Sequence, residues 1–312
     1  MPKPGSPVRA TRLRLDGRSV ARRAWVAERG AQALRFFDDP EYLRTTLGEC
    51  TDTESSRDAL DAARLARCAP GALNLDAGCG PGRHALALAR MGYRVVGLDR
   101  AAVLLEAGRR ASGGAPWPRF VRGDYARIPF PDASFDAVLN LGTALGYRGE
   151  REDLAALREF RRVLARGGRL VLETAHRDAA EPGGALAEHE ERTLPTGSTL
   201  CIERRFDARR GLLHEVQQLR DREVWGPPRA YTIRLYAAAE LDGMLARAGF
   251  GARTLHASLT GRGVPGPGGP LVVVASCREL RQPSTSPVLP RPGTDRAQGV
   301  SARRRAPPAP AG

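Results

Sequence analysis

The sequence predicts an α/β fold with a mostly parallel sheet covered by helices on both faces, plus a small antiparallel β insertion after the fifth strand. Three observations predict it. Short apolar runs alternate with helix-period segments between residues 73 and 173. A glycine-rich turn joins the first of those strands to the helix behind it. Beyond residue 178 the rhythm changes to paired strand-like runs joined by a tight turn, the pattern of a hairpin.

Residues 1–20 are rich in Pro, Gly and Arg and lack periodicity, so they read as a disordered basic tail. Residues 21–37 read as a helix, closed by turn chemistry in Phe36-Phe37-Asp38-Asp39-Pro40-Glu41-Tyr42. Those aromatics either lie over a bound cofactor or pack an N-terminal helix. A second helix runs over residues 53–68 with Leu60 and Leu65 facing in, until Pro70-Gly71 breaks it. The strand at residues 73–76 enters the turn containing Gly78, Gly80 and Gly82, and a helix follows at 85–90. Strands are predicted at residues 93–99, 119–124 and 135–140, with a helix over 101–111. In the helix over residues 153–164, Leu154, Leu157, Phe160, Val163 and Leu164 share one face. Arg166-Gly167-Gly168 stops it, and residues 169–173 form the fifth strand. The insertion, about 178–236, carries strands at 199–206, 212–219 and 230–236. A helix at 238–248 and strands at 252–258 and 271–276 complete one domain spanning residues 21–276. Residues 277–312 read as a disordered Pro/Arg-rich tail.

Composition narrows the class. With 312 residues, 42% hydrophobic and 27% charged, the chain is of ordinary globular composition. No run approaches the roughly 18 apolar residues of a membrane span, and no signal-peptide core follows Met1. Cys50, Cys68, Cys79, Cys201 and Cys277 are scattered, which argues against a metal site or disulfide framework and for a reducing cytoplasm. The net charge of +14 sits in the ends: residues 1–35 carry +7 and residues 276–312 carry +5, leaving +2 for everything between. Lys3 is the only lysine, so the arginine excess reads first as the compositional drift of a GC-rich genome. Nonspecific RNA or anionic-membrane binding by the tails is the rival explanation.

The chemistry-bearing residues lie at the carboxyl ends of the predicted strands, where parallel sheets place ligands. The glycine turn reads G-x-G-x-G, with Arg83 where a dinucleotide fingerprint would have its last glycine and Asp76 two residues ahead. Asp99 ends the second strand about twenty residues on and suits a ribose diol, of a nicotinamide cofactor or another nucleoside; its alternative role is a helix N-cap. Asp124 and Tyr125 follow the third strand, and Asn140 and Leu141 end the fourth.

Taken together, D-x-G-x-G-x-G at residues 76–82, Gly97-Leu98-Asp99, Gly123-Asp124, I-P-F-P-D-A-S-F-D at 128–136 and L-A-R-G-G-R-L at 164–170 resemble the class I S-adenosylmethionine-dependent methyltransferases of the broad small-molecule type. The resemblance covers about residues 50–275. It implies a Rossmann-like, seven-stranded, mostly parallel sheet whose last strand is antiparallel, with S-adenosylmethionine as cofactor. In that reading Asp99 binds the ribose and Asp124 the adenine, with Tyr125 beside it. The backbone of residues 78–82, with Asp76 and Cys79, accommodates the methionine end. Asn140 and Leu141 stand where donor meets acceptor. Arg100, where the family often has a small or apolar residue, either stacks near the adenine or is solvated. The segments at 140–147 and 173–178 with the insertion resemble a bacterial subgroup in which the region after strand five forms a lid over the acceptor.

Methyl transfer from a sulfonium is an in-line displacement helped mainly by alignment. His176 is the base candidate, with Tyr147 the second catalytic candidate, and Arg177, Tyr231 and Tyr236 are candidates for acceptor contact. No N/D-P-P-Y/F run follows strand four and no Pro-Cys or Thr-Cys nucleophile is present, so a small-molecule acceptor is favoured over a nucleic acid. The rivals are an RNA methyltransferase using its Arg-rich tails, a non-catalytic S-adenosylmethionine-binding protein and, disfavoured by Arg83, a nicotinamide-dependent oxidoreductase. The sequence leaves the oligomeric state open between monomer and homodimer.

Overall fold

The computed structural model of the protein describes residues 35–49 and 52–277. The expectations for residues 1–20, for most of the helix at 21–37 and for the tail beyond Cys277 lie outside the described residues. Residues 35–37 are helical and give way to a turn at Asp38, so residues 36–42 close one helix as expected, and they also open the next, α1 (Pro40–Glu49). Pro40 stands in the first turn, where its missing N–H costs nothing, and the Glu41 amide donates to Asp39 Oδ1 at 2.8 Å.

In α2 (Asp52–Ala66) the buried face is Ser55, Ala59, Ala62, Ala63 and Ala66. Leu60 and Leu65 are only half-buried, so small side chains carry the packing and let α2 lie close against the next helix. The alternating series follows as β1 (Leu73–Ala77), α3 (Arg83–Arg90), β2 (Arg94–Asp99), α4 (Ala102–Ala111), β3 (Arg119–Arg122), β4 (Phe135–Asn140), α5 (Glu150–Val163) and β5 (Leu164–Ala175). After the insertion come α6 (Ala238–Arg247), β11 (Phe250–His256) and β12 (Pro270–Cys277). The main sheet has seven strands in the order β11-β12-β5-β4-β1-β2-β3. Neighbours from β5 to β3 pair in parallel, and β12 runs antiparallel to both β5 and β11. This is the Rossmann-like sheet with an antiparallel last strand.

Period-two alternation sends each strand's side chains to opposite faces. Val138, Leu170, Leu172 and Val273 join Leu157 and Phe160 of α5 and Leu241 and Leu245 of α6 in one core cluster. Leu139, Val171, Val272 and Val274 join Ala59, Ala62, Ala85 and Leu88 in the other. Helices thus cover both faces.

The fifth strand begins earlier than its glycines suggested. Leu164 pairs with Phe135, residues 165–168 bulge, and pairing resumes between Arg169 and Ala137. Gly168 is required there, because a Cβ would stand 2.9 Å from the Asp136 carbonyl oxygen. The 128–136 motif is held to α5 by Arg162, which donates to the Ile128 and Phe130 carbonyls at 3.0 and 2.8 Å and to Glu159 at 2.7 Å. Glu159 in turn accepts the Ile128 amide at 2.7 Å, and its bond to Arg162 holds its carboxyl below the usual range.

The insertion is an antiparallel sheet of β6 (His189–Thr193), β7 (Thr199–Asp207), β8 (Leu212–Asp221), β9 (Val224–Trp225) and β10 (Arg229–Arg234), ordered β10-β8-β7-β6 with β9 on β8. The hairpin and the third strand were legible in the sequence. β6 was not, because a polar edge strand (HEERT) carries no hydrophobic alternation, and β9 is too short to show one. Among the described residues no helix is long and apolar enough to cross a membrane.

A buried pair fastens the insertion's exit to α5. The Tyr236 hydroxyl donates to Asp153 Oδ2 at 2.6 Å, and the Gly146 amide donates to Oδ1 at 3.3 Å. Burial raises the Asp153 carboxyl to about 6. A folded pKa above the unfolded one means the protonated form favours the fold. That contribution is complete below about pH 4 and is lost as pH rises through about 6. Asp153→Asn keeps an acceptor for Tyr236 without the charge. Between pH 4 and 7 its melting temperature should therefore gain on that of the parent protein, by the equivalent of as much as about 3 kcal/mol. Thermal melts of both proteins across that range check it.

Candidate functional site

The carboxyl ends of β1 and β2 meet at one carboxylate. Asp99 Oδ2 accepts the Gly80 amide at 2.8 Å, and Oδ1 accepts the Ala101 amide at 2.9 Å. The Leu98 carbonyl takes the Gly78 amide at 2.7 Å and the Cys79 amide at 3.1 Å. The glycine turn is thereby lashed to the end of β2. Gly78, Gly80 and Gly82 have φ of +77°, +55° and +82°, the left-handed region that favours glycine. A Cβ on Gly82 would stand 2.4 Å from the Phe120 ring, and one on Gly78 would stand 2.8 Å from Ala144. A Cβ on Gly80 meets nothing within 4 Å, because Gly80 faces open space.

That space is an open cleft beside the glycine turn. Gly78, Gly80, Asp99, Ala101, Leu104 and Tyr125 line it together with Gly142, Thr143 and Ala144. Phe37, Asp38, Tyr42, Tyr147, Arg100 and Arg148 complete the lining. The Tyr125 hydroxyl donates to the Ala144 carbonyl at 2.9 Å, and its ring edge lies 3.7 Å from where a Gly78 Cβ would stand. Thr143 holds a positive φ of 60°, costly for a β-branched residue, and is fixed to β5 by its amide on the Glu173 carbonyl and by its hydroxyl, which accepts the Ala175 amide. Burial raises the Asp99 carboxyl, against the opposing pull of its backbone donors. With one donor on each oxygen, the remaining lone pairs suit a ribose diol in the cleft.

Of the residues singled out in the sequence for a cofactor, Gly78, Gly80, Asp99, Arg100 and Tyr125 line the cleft. The others support it from behind. Asp76 is buried under the first turn of α3, bonded by the Ala85 amide; one of its oxygens has no partner among the described residues, and burial raises it to about 7. Cys79 packs beneath Gly97, whose absent Cβ would fall 2.9 Å from the sulfur. Gly82 packs on Phe120. Asn140 is fully buried and donates to the Ala77 carbonyl at 2.7 Å, and Leu141 is buried in the core behind it. Asp124 departs from expectation. Arg148 donates to both its oxygens at 2.8 and 2.7 Å, and the Arg100 guanidinium stands 3.6 Å away, so its carboxylate is taken and it does not line the cleft.

The acceptor-side expectations divide more sharply. Tyr147 lines the cleft, and Tyr231 packs behind it with ring centroids 5.5 Å apart. His176 does not line the cleft; it is buried, accepts the Asp178 amide on Nδ1 at 3.2 Å and is bridged to Tyr236. Tyr236 is a core residue, fully buried and bonded to Asp153. Arg177 is turned away, paired with Glu240 and the Ala208 carbonyl. The sequence reading did not single out Arg148 or Thr143. A signal was present for both in the glycine-spaced run Gly142, Gly146, Gly149, which marks a tightly folded loop at a strand's carboxyl end. Phe37 and Tyr42 line the cleft, and their rings also pack on Tyr147 and Phe36.

Comparison with known proteins fits this geometry. Residues 75–172 match the model of a family described as a methyltransferase domain. The chain is 41% identical over 98 residues to a demethylmenaquinone methyltransferase of Clavibacter sepedonicus, covering 31% of this chain and 39% of that protein. It spans about two fifths of the length of the curated relatives it matches first. Among solved structures, the CcbJ methyltransferase of Streptomyces caelestis superposes with a TM-score of 0.62 at 21% identity, over 81% of this chain and 99% of that one. CalS10 of Micromonospora echinaspora, an amino pentose methyltransferase solved with S-adenosylmethionine bound, superposes with a TM-score of 0.57 at 25% identity, over 76% of this chain and 97% of that one. Residues 75–172 thus match a methyltransferase domain, and the sheet that contains them has the fold of these solved methyltransferases.

Two alanine substitutions separate the turn's structural and binding roles. Gly82→Ala adds a clash with Phe120 to the cost of a left-handed alanine, about 1–2 kcal/mol, and should lower the melting temperature markedly. Gly80→Ala carries only the backbone cost but puts a methyl group into the cleft. It should melt closer to the parent protein while binding S-adenosylhomocysteine more weakly, as read by melts and calorimetric titration.

Proposed function

We propose that the chain transfers the methyl group of S-adenosylmethionine to a small-molecule acceptor held in the cleft, against Phe37, Tyr42 and Tyr147. The observation that carries this is the Asp99 carboxylate, fixed by two backbone donors in the lining of an open cleft beside glycines that leave room for a ligand. The names of two relatives, a demethylmenaquinone methyltransferase and an amino pentose methyltransferase, support a small acceptor, while those of two probable tRNA methyltransferases, of Mus musculus and Bos taurus, name an RNA instead.

When bound, S-adenosylmethionine supplies an electrophilic methyl on a sulfonium. The residues of this chain hold and orient. Asp99 accepts from the ribose hydroxyls, and Tyr125 lines the cleft beside Gly78. Arg100 and Arg148 line the cleft too, paired with Asp124. Burial pushes the Tyr147 phenol well above its usual range, so it remains protonated and orients an acceptor by donating a hydrogen bond. His176 has no place in this scheme, because its ring nitrogen is engaged by the Asp178 amide away from the cleft. Catalysis then rests on alignment of the acceptor's lone pair, the dominant contribution for such displacements.

Calorimetric titration with S-adenosylhomocysteine tests the assignment. The parent protein should bind it, and Asp99→Asn should bind about 10-fold to 100-fold more weakly, the worth of a hydrogen bond to a charged group. Equal binding by both proteins, or none by the parent, would overturn it.

A further inference from the structure

The inner face of the second sheet carries a row of polar side chains that this fold alone does not explain. Cross-strand register places Arg204, Glu215 and Tyr231 side by side, and Ile202, Gln217 and Arg229 in the next row. The two arginines are treated very differently. Arg204 donates to Glu215 at 2.7 Å, to Glu190 at 2.7 Å and to the Ala187 carbonyl at 3.1 Å. Arg229 is 7% exposed, and its Nε, Nη1 and Nη2 all lack a hydrogen-bond partner among the described residues. Beside it Gln217 donates to Glu215 at 2.7 Å, leaving its own carbonyl oxygen unpaired. Arg229 does have an aromatic neighbour, since its guanidinium lies 5.5 Å from the centre of the Phe36 ring. Asp39 and Glu41 act on it electrostatically without bonding it, and burial outweighs them in lowering its pKa.

A buried guanidinium whose nitrogens are unbonded is among the costlier arrangements in a protein interior. Its neighbours connect it to the cleft. Phe36 packs on Tyr231 at 4.7 Å, and Tyr231 packs on Tyr147, the cleft residue, at 5.5 Å. The rings of Tyr147, Tyr231 and Phe36 thus form a continuous series of contacts from the cleft to Arg229.

We propose that Arg229 and Gln217 form the distal subsite for the methyl acceptor, and that the acceptor carries an oxyanion, a carboxylate or a phosphate, which displaces the Phe36 ring from the Arg229 guanidinium. Arg229 forks to the oxyanion, and the free Gln217 oxygen accepts from a neighbouring hydroxyl or amide of the same molecule. This rests on the acceptor site proposed above and adds the chemical class of its occupant.

The test titrates the full chain, saturated with S-adenosylhomocysteine, with benzoate, phenyl phosphate and benzyl alcohol. The ring suits the aromatic wall, and the head groups separate carboxylate, phosphate and neutral ligands. The parent protein should favour one or both anions over the alcohol by about tenfold or more, the scale of a charge-assisted bond. Arg229→Gln should lose that preference to within about twofold, and Arg229→Lys should keep part of it, a point charge replacing a fork. Without probe, Arg229→Gln should melt no lower than the parent, since it removes an unbonded buried charge; a purely structural arginine would make it melt lower. Equal binding of all three probes to the parent overturns the proposal whether or not the variants fold, as does an undiminished preference in Arg229→Gln. Loss of S-adenosylhomocysteine binding by the parent strikes the functional reading, whereas retained binding with no preference among the probes strikes this inference alone.

Discussion

The tie between Asp99 and the glycine turn is the constraint on which the rest of the site depends. One carboxylate receives Gly80 on one oxygen and Ala101 on the other, so the ends of two adjacent parallel strands and the start of α4 move as a unit. The turn accepts this only because three of its residues adopt positive φ and because Gly82 lets the Phe120 ring pack directly on the backbone. Gly97 serves the same end from below, leaving room for both Cys79 and Phe120. The glycines therefore do two jobs. Some allow close packing behind the turn, and Gly80 leaves space in front of it.

Around that fixed base the chain builds the cleft from distant segments. The loop after β4 is pinned by Thr143 to β5 and by Gly146 to the buried Asp153, which also anchors the exit of the insertion through Tyr236. Phe36, Phe37 and Tyr42 arrive from the N-terminal side and interlock with Tyr147 and Tyr231. The aromatic part of the cleft is thus a joint product of three regions, with Phe37 packed on Tyr147 and Tyr147 on Tyr231, while Tyr42 packs on Phe36 and Phe37. Such interlocking favours a defined acceptor shape over a loose hydrophobic mouth.

Much of the fold was legible because its signals are local. The alternation of short apolar runs with helical periodicity, the turn residues and the single-faced helix α5 each report the environment of their own segment. Boundaries moved where tertiary pairing extended an element, as in β5, whose first residue pairs across a bulge with Phe135. The turn at residues 38–39 ends one helix as its chemistry suggests, but the start of α1 directly behind it went unread because turn chemistry looks alike at the end and at the start of a helix. β6 was silent because an exposed edge strand has no buried face to impose a pattern.

The sequence by itself determined the glycine-turn end of the cleft. Asp99, Gly78 and Gly80 lie within one βαβ unit, where spacing alone dictates that a carboxylate and a glycine turn meet at the strands' carboxyl ends. Only the tertiary structure decided which of the remaining candidates face the cleft. His176 and Tyr236 follow strands as acceptor residues should, yet both turn into the core, one bonded to a local amide and the other to Asp153. Asp124 follows its strand as expected, yet Arg148, twenty-four residues on, takes its carboxylate. Whether a polar side chain faces a ligand or a buried partner depends on groups brought together from far apart in the chain, and local pattern holds no record of that choice.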